Sequence, residues 1–133
     1  MAPKALEIPG FKYTLEAAAD LSASQYRAVK TNTSGEAAVI TAITDKPVGI
    51  LQDKPAAQGR AAELMADGIS LMEAGSGGVT AGNTIGVDNA GKGISIAPGT
   101  ATTQYLVGTA LSTASAGDYF AVLFDLKNPS RAA

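Results

Sequence analysis

Apolar and polar residues alternate with a period of two along most of this chain, and Gly, Asn, Asp or Pro interrupts the alternation at roughly eight- to twelve-residue intervals. Such spacing predicts short strands joined by tight turns, an all-β fold built as a small compact barrel or sandwich. The predicted strands cover 26–31, 36–43, 48–52, 60–65, 69–73, 84–88, 93–97, 104–111 and 118–125. None of these windows carries a three-turn amphipathic helix pattern. The clearest local signal is TIGVDNAGKGISIA, where Ile85 and Val87 share a face, Ile94 and Ile96 pair with them, and Asp88, Asn89, Gly91 and Gly93 supply turn geometry. It reads as a scaffold hairpin.

The first twenty residues follow a different rule. Pro3, Pro9 and Gly10 break any regular element, while Ile8, Phe11, Tyr13 and Leu15 alternate weakly, so residues 1–20 are expected to form an extended arm that lies on something. A short helical turn over TLEAAAD is a competing local preference, with Thr14 as its cap and Ala17 to Ala19 favouring it.

The last strand, YFAVLF, is apolar on both faces: Tyr119, Ala121 and Leu123 on one, Phe120, Val122 and Phe124 on the other. An antiparallel strand with one wet face shows polar residues on one side, so something must cover the second face. The cover is either the chain's own arm, a central place in a closed barrel, or a neighbouring copy. For the last case Tyr119, Phe120, Val122 and Phe124 are the candidate self-association residues.

A phrase recurs in the chain. VGILQDKPAAQGRAAELM and VGTALSTASAGDYFAVLF share their Val-Gly start and a later Ala and Gly before an apolar strand, and SASQYRAV parallels SAGDYFAV at constant offset. The unit is a turn whose Gly can take positive φ, followed by a strand. Degenerate duplication and the shared demands of tight turns account for it equally well, and in both cases it describes scaffold.

Composition narrows the chemistry. At 133 residues the chain makes one domain with a modest core, and with four Tyr, three Phe and no Trp its core volume must come from Val, Ile and Leu. Ten basic residues against twelve acidic ones give a net charge of −2, with no basic stripe, which argues against a nucleic-acid partner. Cys and His are both absent, which removes the thiol nucleophile, the commonest general base and most transition-metal ligands. No segment approaches the roughly 20 apolar residues of a membrane span, and no signal-peptide pattern is present, so a soluble protein made in the cytoplasm, without a membrane partner, is expected.

What remains for catalysis is carboxylate chemistry. Asp45, Asp53, Glu63, Asp67, Glu73, Asp88, Asp118 and Asp125 are scattered over strand ends and turns, where Asp serves turn geometry, and nothing in the sequence brings two of them together. GGVTAGNT has phosphate-loop spacing, but Asn83 stands where the phosphate-binding Lys is required and no helix follows. DNAGKG lacks the acids of a calcium loop, and the NTS triplet at Asn32 has no secretion signal beside it. No enzyme activity, cofactor or metal is expected.

Three stretches, ADLSASQYRAVKT, then VGILQDKPAAQGRAAELMADGISLMEAGSGGVTAGNTIGVDNAGKGI, then YLVGTALSTASAGDYFAVLF, resemble the small decoration, or head-cement, proteins of tailed bacteriophages over about residues 19–125. The resemblance implies a compact β-barrel or β-tulip-like domain at 21–126, an arm at 1–20 and a tail at 127–133. It further implies a structural virion protein on the capsid exterior, made in the host cytoplasm, that bridges neighbouring subunits of the major capsid protein, commonly as a homotrimer. On that reading Ile8, Phe11 and Tyr13 of the arm are the candidate capsid contacts. The alternatives are a small β-barrel binding module of a tail or baseplate, or a glycan- or ligand-binding domain, which the scarcity of aromatics disfavours; a carboxylate-dependent hydrolase ranks last.

Overall fold

Residues 7–133, those described by the computed structural model, fold into eleven strands with no helix among them. They are β1 (Ile8–Pro9), β2 (Lys12–Glu16), β3 (Ala28–Thr31), β4 (Ala37–Val39), β5 (Gly49–Leu51), β6 (Ala61–Met65), β7 (Asp67–Glu73), β8 (Thr84–Val87), β9 (Gly93–Ser95), β10 (Gly108–Ala110) and β11 (Tyr119–Asp125). The strands predicted from alternation correspond to β3 through β11. β10 is shorter than predicted because the chain before it turns to the C-terminal residues, where Tyr105 bridges Arg131 and the Leu106 N–H donates to the Ser130 carbonyl at 2.8 Å.

Two sheets result. One has six strands in the order β1-β7-β11-β10-β8-β9, the other five in the order β2-β6-β5-β3-β4, and the named strands pair antiparallel throughout. The five-stranded sheet curls into a half-barrel. Its first and last strands meet at one end, where Ala17 bridges Ala37 and the Ala18 N–H donates to the Ala37 carbonyl at 2.8 Å.

The period-two pattern of the half-barrel strands serves two cores at once. Ala28, Ile50 and Met65 face the six-stranded sheet and join Met72, Ile85, Val87, Phe120, Val122 and Phe124 in the main core. The alternate residues Val29, Leu51 and Leu64 face the hollow of the half-barrel, with Ala17, Leu21, Ala37 and Ala62. A sheet covered on both sides needs apolar residues on both faces, which is why β5 and the parts of β3 and β6 beside it are apolar on both.

The N-terminal segment is extended, and it lies on its own chain. Ile8 and Pro9 pair with Ile69 and Gly68 of one sheet, and Lys12 to Glu16 pair with Met65 to Ala61 of the other. Gly10 makes the crossing, since a Cβ there would stand 2.6 Å from the Asp67 carbonyl oxygen. The next residue is held by a hydrogen bond from the Phe11 N–H to Asp67 Oδ1, 2.6 Å. The helical turn considered for TLEAAAD does not form. Pairing of Leu15 with Ala62 and complete burial of Ala17 outweigh the local helix preference of a short Ala run.

Candidate functional site

Phe120, Val122 and Phe124 point into the core, at 0, 0 and 5 % exposure. This corrects the sequence-based assignment of these three to self-association, because their face of β11, shared with Met72 and Ser70 of β7, packs against Ala28, Ile50 and Met65 of the half-barrel. The other face of the strand is the open one: Tyr119 is 48 % and Leu123 51 % exposed.

Cross-strand register extends that open face across the sheet. Residues directly opposite one another share a face, so Ile8, Ile69, Leu123 and Thr109 form one continuous row over β1, β7, β11 and β10. A second row pairs Leu71 with Ala121, whose carbonyl accepts the Leu111 N–H at 2.8 Å, and a third pairs Glu73 with Tyr119. Ile8 is 56 % and Leu111 40 % exposed. The outer face of the six-stranded sheet is thus a patch of half-exposed aliphatic side chains. Ile69, Leu71 and Leu111 are not among the sequence candidates, and Leu123 is placed there on an apolar face but not in an interface; the alternation puts Ile69, Leu71 and Glu73 on one face but does not say which face is outside.

Charge borders one end of the patch. Glu73 accepts from Arg27 Nε at 3.0 Å and lies 3.3 Å from Lys92 Nζ, tying β7 to the start of β3 and to the β8–β9 turn. Tyr26, the residue before Arg27, stacks edge to face on Tyr119. Its phenol pKa is raised, first by burial and then by the Glu7 charge.

The other candidate contacts part company. Ile8 belongs to the patch just described, whereas Phe11 and Tyr13 lie at the mouth of the half-barrel, stacked with ring centroids 5.8 Å apart. With Leu15, Val48, Ala66 and Leu126 they line an apolar groove of about 510 Å³ that Thr31, Lys46 and Lys127 edge. Phe11 is 54 % exposed. The Tyr13 hydroxyl donates to the Val48 carbonyl at 2.6 Å, and burial raises its pKa. Lys127 is held on the rim by Asp67, 2.7 Å away; this contact and the Phe11 N–H lower the Asp67 pKa.

Of the scattered carboxylates, Asp67 and Asp125 are brought opposite each other across β7 and β11, with the Lys127 ammonium between their charges; Asp45, Asp53 and Asp88 serve separate turns and loops. Asp45 accepts from Lys30, Thr41 and Ala42, Asp53 from the Glu63 N–H, and Asp88 from the Ala90 and Lys92 N–H groups. No group of three acidic residues with metal-binding geometry occurs among the described residues. The GGVTAGNT segment belongs to the crossover from β7 to β8, which have β11 and β10 between them in the sheet; Val79 bridges Ala114 on the way, and Asn83 Oδ1 accepts the Thr80 N–H at 3.0 Å.

No curated protein is a significant match to the chain. Its fold is similar to that of the N base of the head fiber protein gp8.5 of bacteriophage phi29, with a TM-score of 0.63 at 16 % identity, covering 86 % of this chain and 93 % of that one. The phage cement protein family matches residues 10–126, from the crossing at Gly10 to the buried Leu126, and so takes in ten of the eleven strands, all but β1, and the groove except Lys127. The chain therefore belongs to the phage cement protein family, and is a capsid-associated structural protein of a phage.

Proposed function

We propose that the protein binds the outside of a phage capsid and stabilises the shell by bridging neighbouring subunits of the major capsid protein, acting as a homotrimer and catalysing no reaction. Bridging requires separate contact surfaces on one rigid body. The observation that carries the reading is that the molecule has two, sharing no residue: the aliphatic outer face of the six-stranded sheet and the apolar groove at the mouth of the half-barrel.

The division of labour follows from their shapes. The sheet face, with Tyr119, Leu123 and Ile8, suits a second copy of the chain, and the groove with Phe11 and Tyr13 suits a capsid segment. Full burial of a large aliphatic side chain contributes roughly 1.5–3 kcal/mol, and these half-exposed ones about half of that, so several must be covered together to offset the cost of association. A ligand that binds only the assembled shell shifts the equilibrium toward assembly by its binding free energy. The head fiber protein of similar fold favours a place on the head over one on a tail or baseplate. The net charge of −2 and the lack of a basic stripe favour protein partners over nucleic acid. The protein would be made in the host cytoplasm and join the virion from outside.

The test is binding of the purified chain to phage shells stripped of it, followed by heating. Bound protein is expected to raise the temperature at which shells rupture; shells that fail to bind it, or bind it and rupture unchanged, overturn the reading.

A further inference from the structure

β2 is an edge strand, and from Lys12 to the Glu16 N–H its outward backbone groups have no partner strand among the described residues. The bond from the Ala66 N–H to the Phe11 carbonyl, and that from the Ala17 N–H to the Arg60 carbonyl, set the register with β6 so that odd-numbered residues of the segment face β6. The N–H and C=O groups of Lys12, Thr14 and Glu16 consequently point the other way. Opposite Thr14, Glu63 obeys the same geometry: its N–H goes to Asp53 and its C=O accepts from Gln52, both on the β5 side. The half-barrel's own last strand takes this edge at one end, where the parallel bridge of Ala17 with Ala37 engages the Glu16 carbonyl and the Ala18 N–H; β4 begins there and the β3–β4 turn leaves Lys12 and Thr14 unpaired. Beside that free edge lies the groove of Tyr13, Leu15 and Val48.

We infer that the seam beside β2 receives an extended segment of the capsid protein as an added strand, apolar at alternate positions and carrying a carboxylate for the Lys46 rim. The inference rests on the capsid-binding reading above. Backbone bonds to Lys12, Thr14 and the Glu16 N–H would supply affinity, and side chains at every second position would fall into the groove. Charge favours an acidic segment at one place: of the two lysines on the groove, Lys127 is paired with Asp67, whereas no ion pair engages Lys46 among the described residues. The charged ends of β2, Lys12 and Glu16, guard the edge against indiscriminate pairing, so the strand it accepts must be a matched one.

Thr14→Pro tests this, because proline is tolerated on an edge strand where its missing N–H faced solvent. The full-length variant is expected to keep its circular dichroism and its melting temperature, yet bind stripped shells about tenfold more weakly or worse, while Thr14→Ala binds as wild type. Lys46→Glu should weaken binding as well. Hydrogen exchange on the wild-type protein gives an answer even should the proline variant misfold: shell binding is expected to protect the Lys12, Thr14 and Glu16 amides. Wild-type binding by Thr14→Pro, or bound protein with those amides still exchanging freely, overturns the added strand while leaving capsid binding intact. Wild-type protein that does not bind shells at all overturns the capsid reading itself, and this inference with it.

Discussion

Tyr26 and Tyr119 meet edge to face with ring centroids 5.3 Å apart and ring planes at 77°. They occupy the same place in the two echoing phrases SASQYRAV and SAGDYFAV, one leading into β3 of the half-barrel and the other opening β11 of the six-stranded sheet. The echo therefore has a physical outcome, a contact between the starts of two strands in different sheets. Tyr26 holds φ at +63°, a conformation costly for a residue with a Cβ, and it does so while its N–H donates to Leu51 and its C=O accepts from Glu73.

A double-mutant cycle on Tyr26→Ala and Tyr119→Ala measures that contact. The expected coupling is about 0.5–1 kcal/mol, in the lower part of the range for aromatic pairs because Tyr119 is half exposed. Urea unfolding of the four proteins reads it, and additive single effects would show that the rings merely lie near each other.

The core face of β11 is tightly filled. A Cβ on Gly93 would stand 2.6 Å from Phe120 Cζ, and since φ there is not positive the conflict is one of space alone. Gly93→Ala should therefore destabilise by about 1–3 kcal/mol through overpacking, and Phe120→Leu in the same chain should recover part of the loss. Phe120→Ala alone should cost about 3–5 kcal/mol by leaving a cavity. If the double variant is no more stable than Gly93→Ala, the strain lies elsewhere.

The two faces of β11 should separate folding from association. Leu123→Asp is expected to leave the monomer's unfolding midpoint nearly unchanged, since the side chain is half exposed, while abolishing any self-association seen by light scattering. Val122→Asp should prevent folding by placing an unpaired charge in the core. An oligomer that survives Leu123→Asp would remove the sheet face from the interface.

Asp45 makes stability depend on acid. Hydrogen bonds from Lys30 first, then from the Thr41 N–H, hold its carboxyl at about 2, below the ordinary value. A carboxyl with a lowered folded pKa contributes stability above its unfolded pKa and loses it as pH falls through the folded one. The contribution at neutral pH is about 1 kcal/mol after allowing for the solvent that reaches this loop. Asp45→Asn should thus be less stable than wild type at pH 6 and converge with it near pH 2. A constant difference across that range would show that the charge of Asp45 does not matter.

The candidate site was legible only in part. The composition of YFAVLF announces that both its faces need cover, and the spacing of Ile8, Phe11 and Tyr13 announces an extended segment with apolar contacts to make. Nothing in those residues tells Phe120 from Tyr119 as the inward one, because alternation is symmetric between faces and the choice depends on which side the half-barrel packs. Nor could the segment show that Ile8 and Phe11 serve different sheets, since the crossing is made by Gly10 against Asp67, a residue far along the chain.

By itself the sequence determined the all-β class, nine of the eleven strands and the turns between them, because period-two alternation and positive-φ glycines such as Gly59 and Gly117 act within a few residues. The tertiary structure alone decided the splitting of the N-terminal segment between two sheets, the meeting of Ala17 with Ala37 that curls the half-barrel, and the burial of Phe120 instead of Tyr119. Each of these is a pairing between distant residues, whose energy comes from the surface buried jointly by partners that no local pattern names.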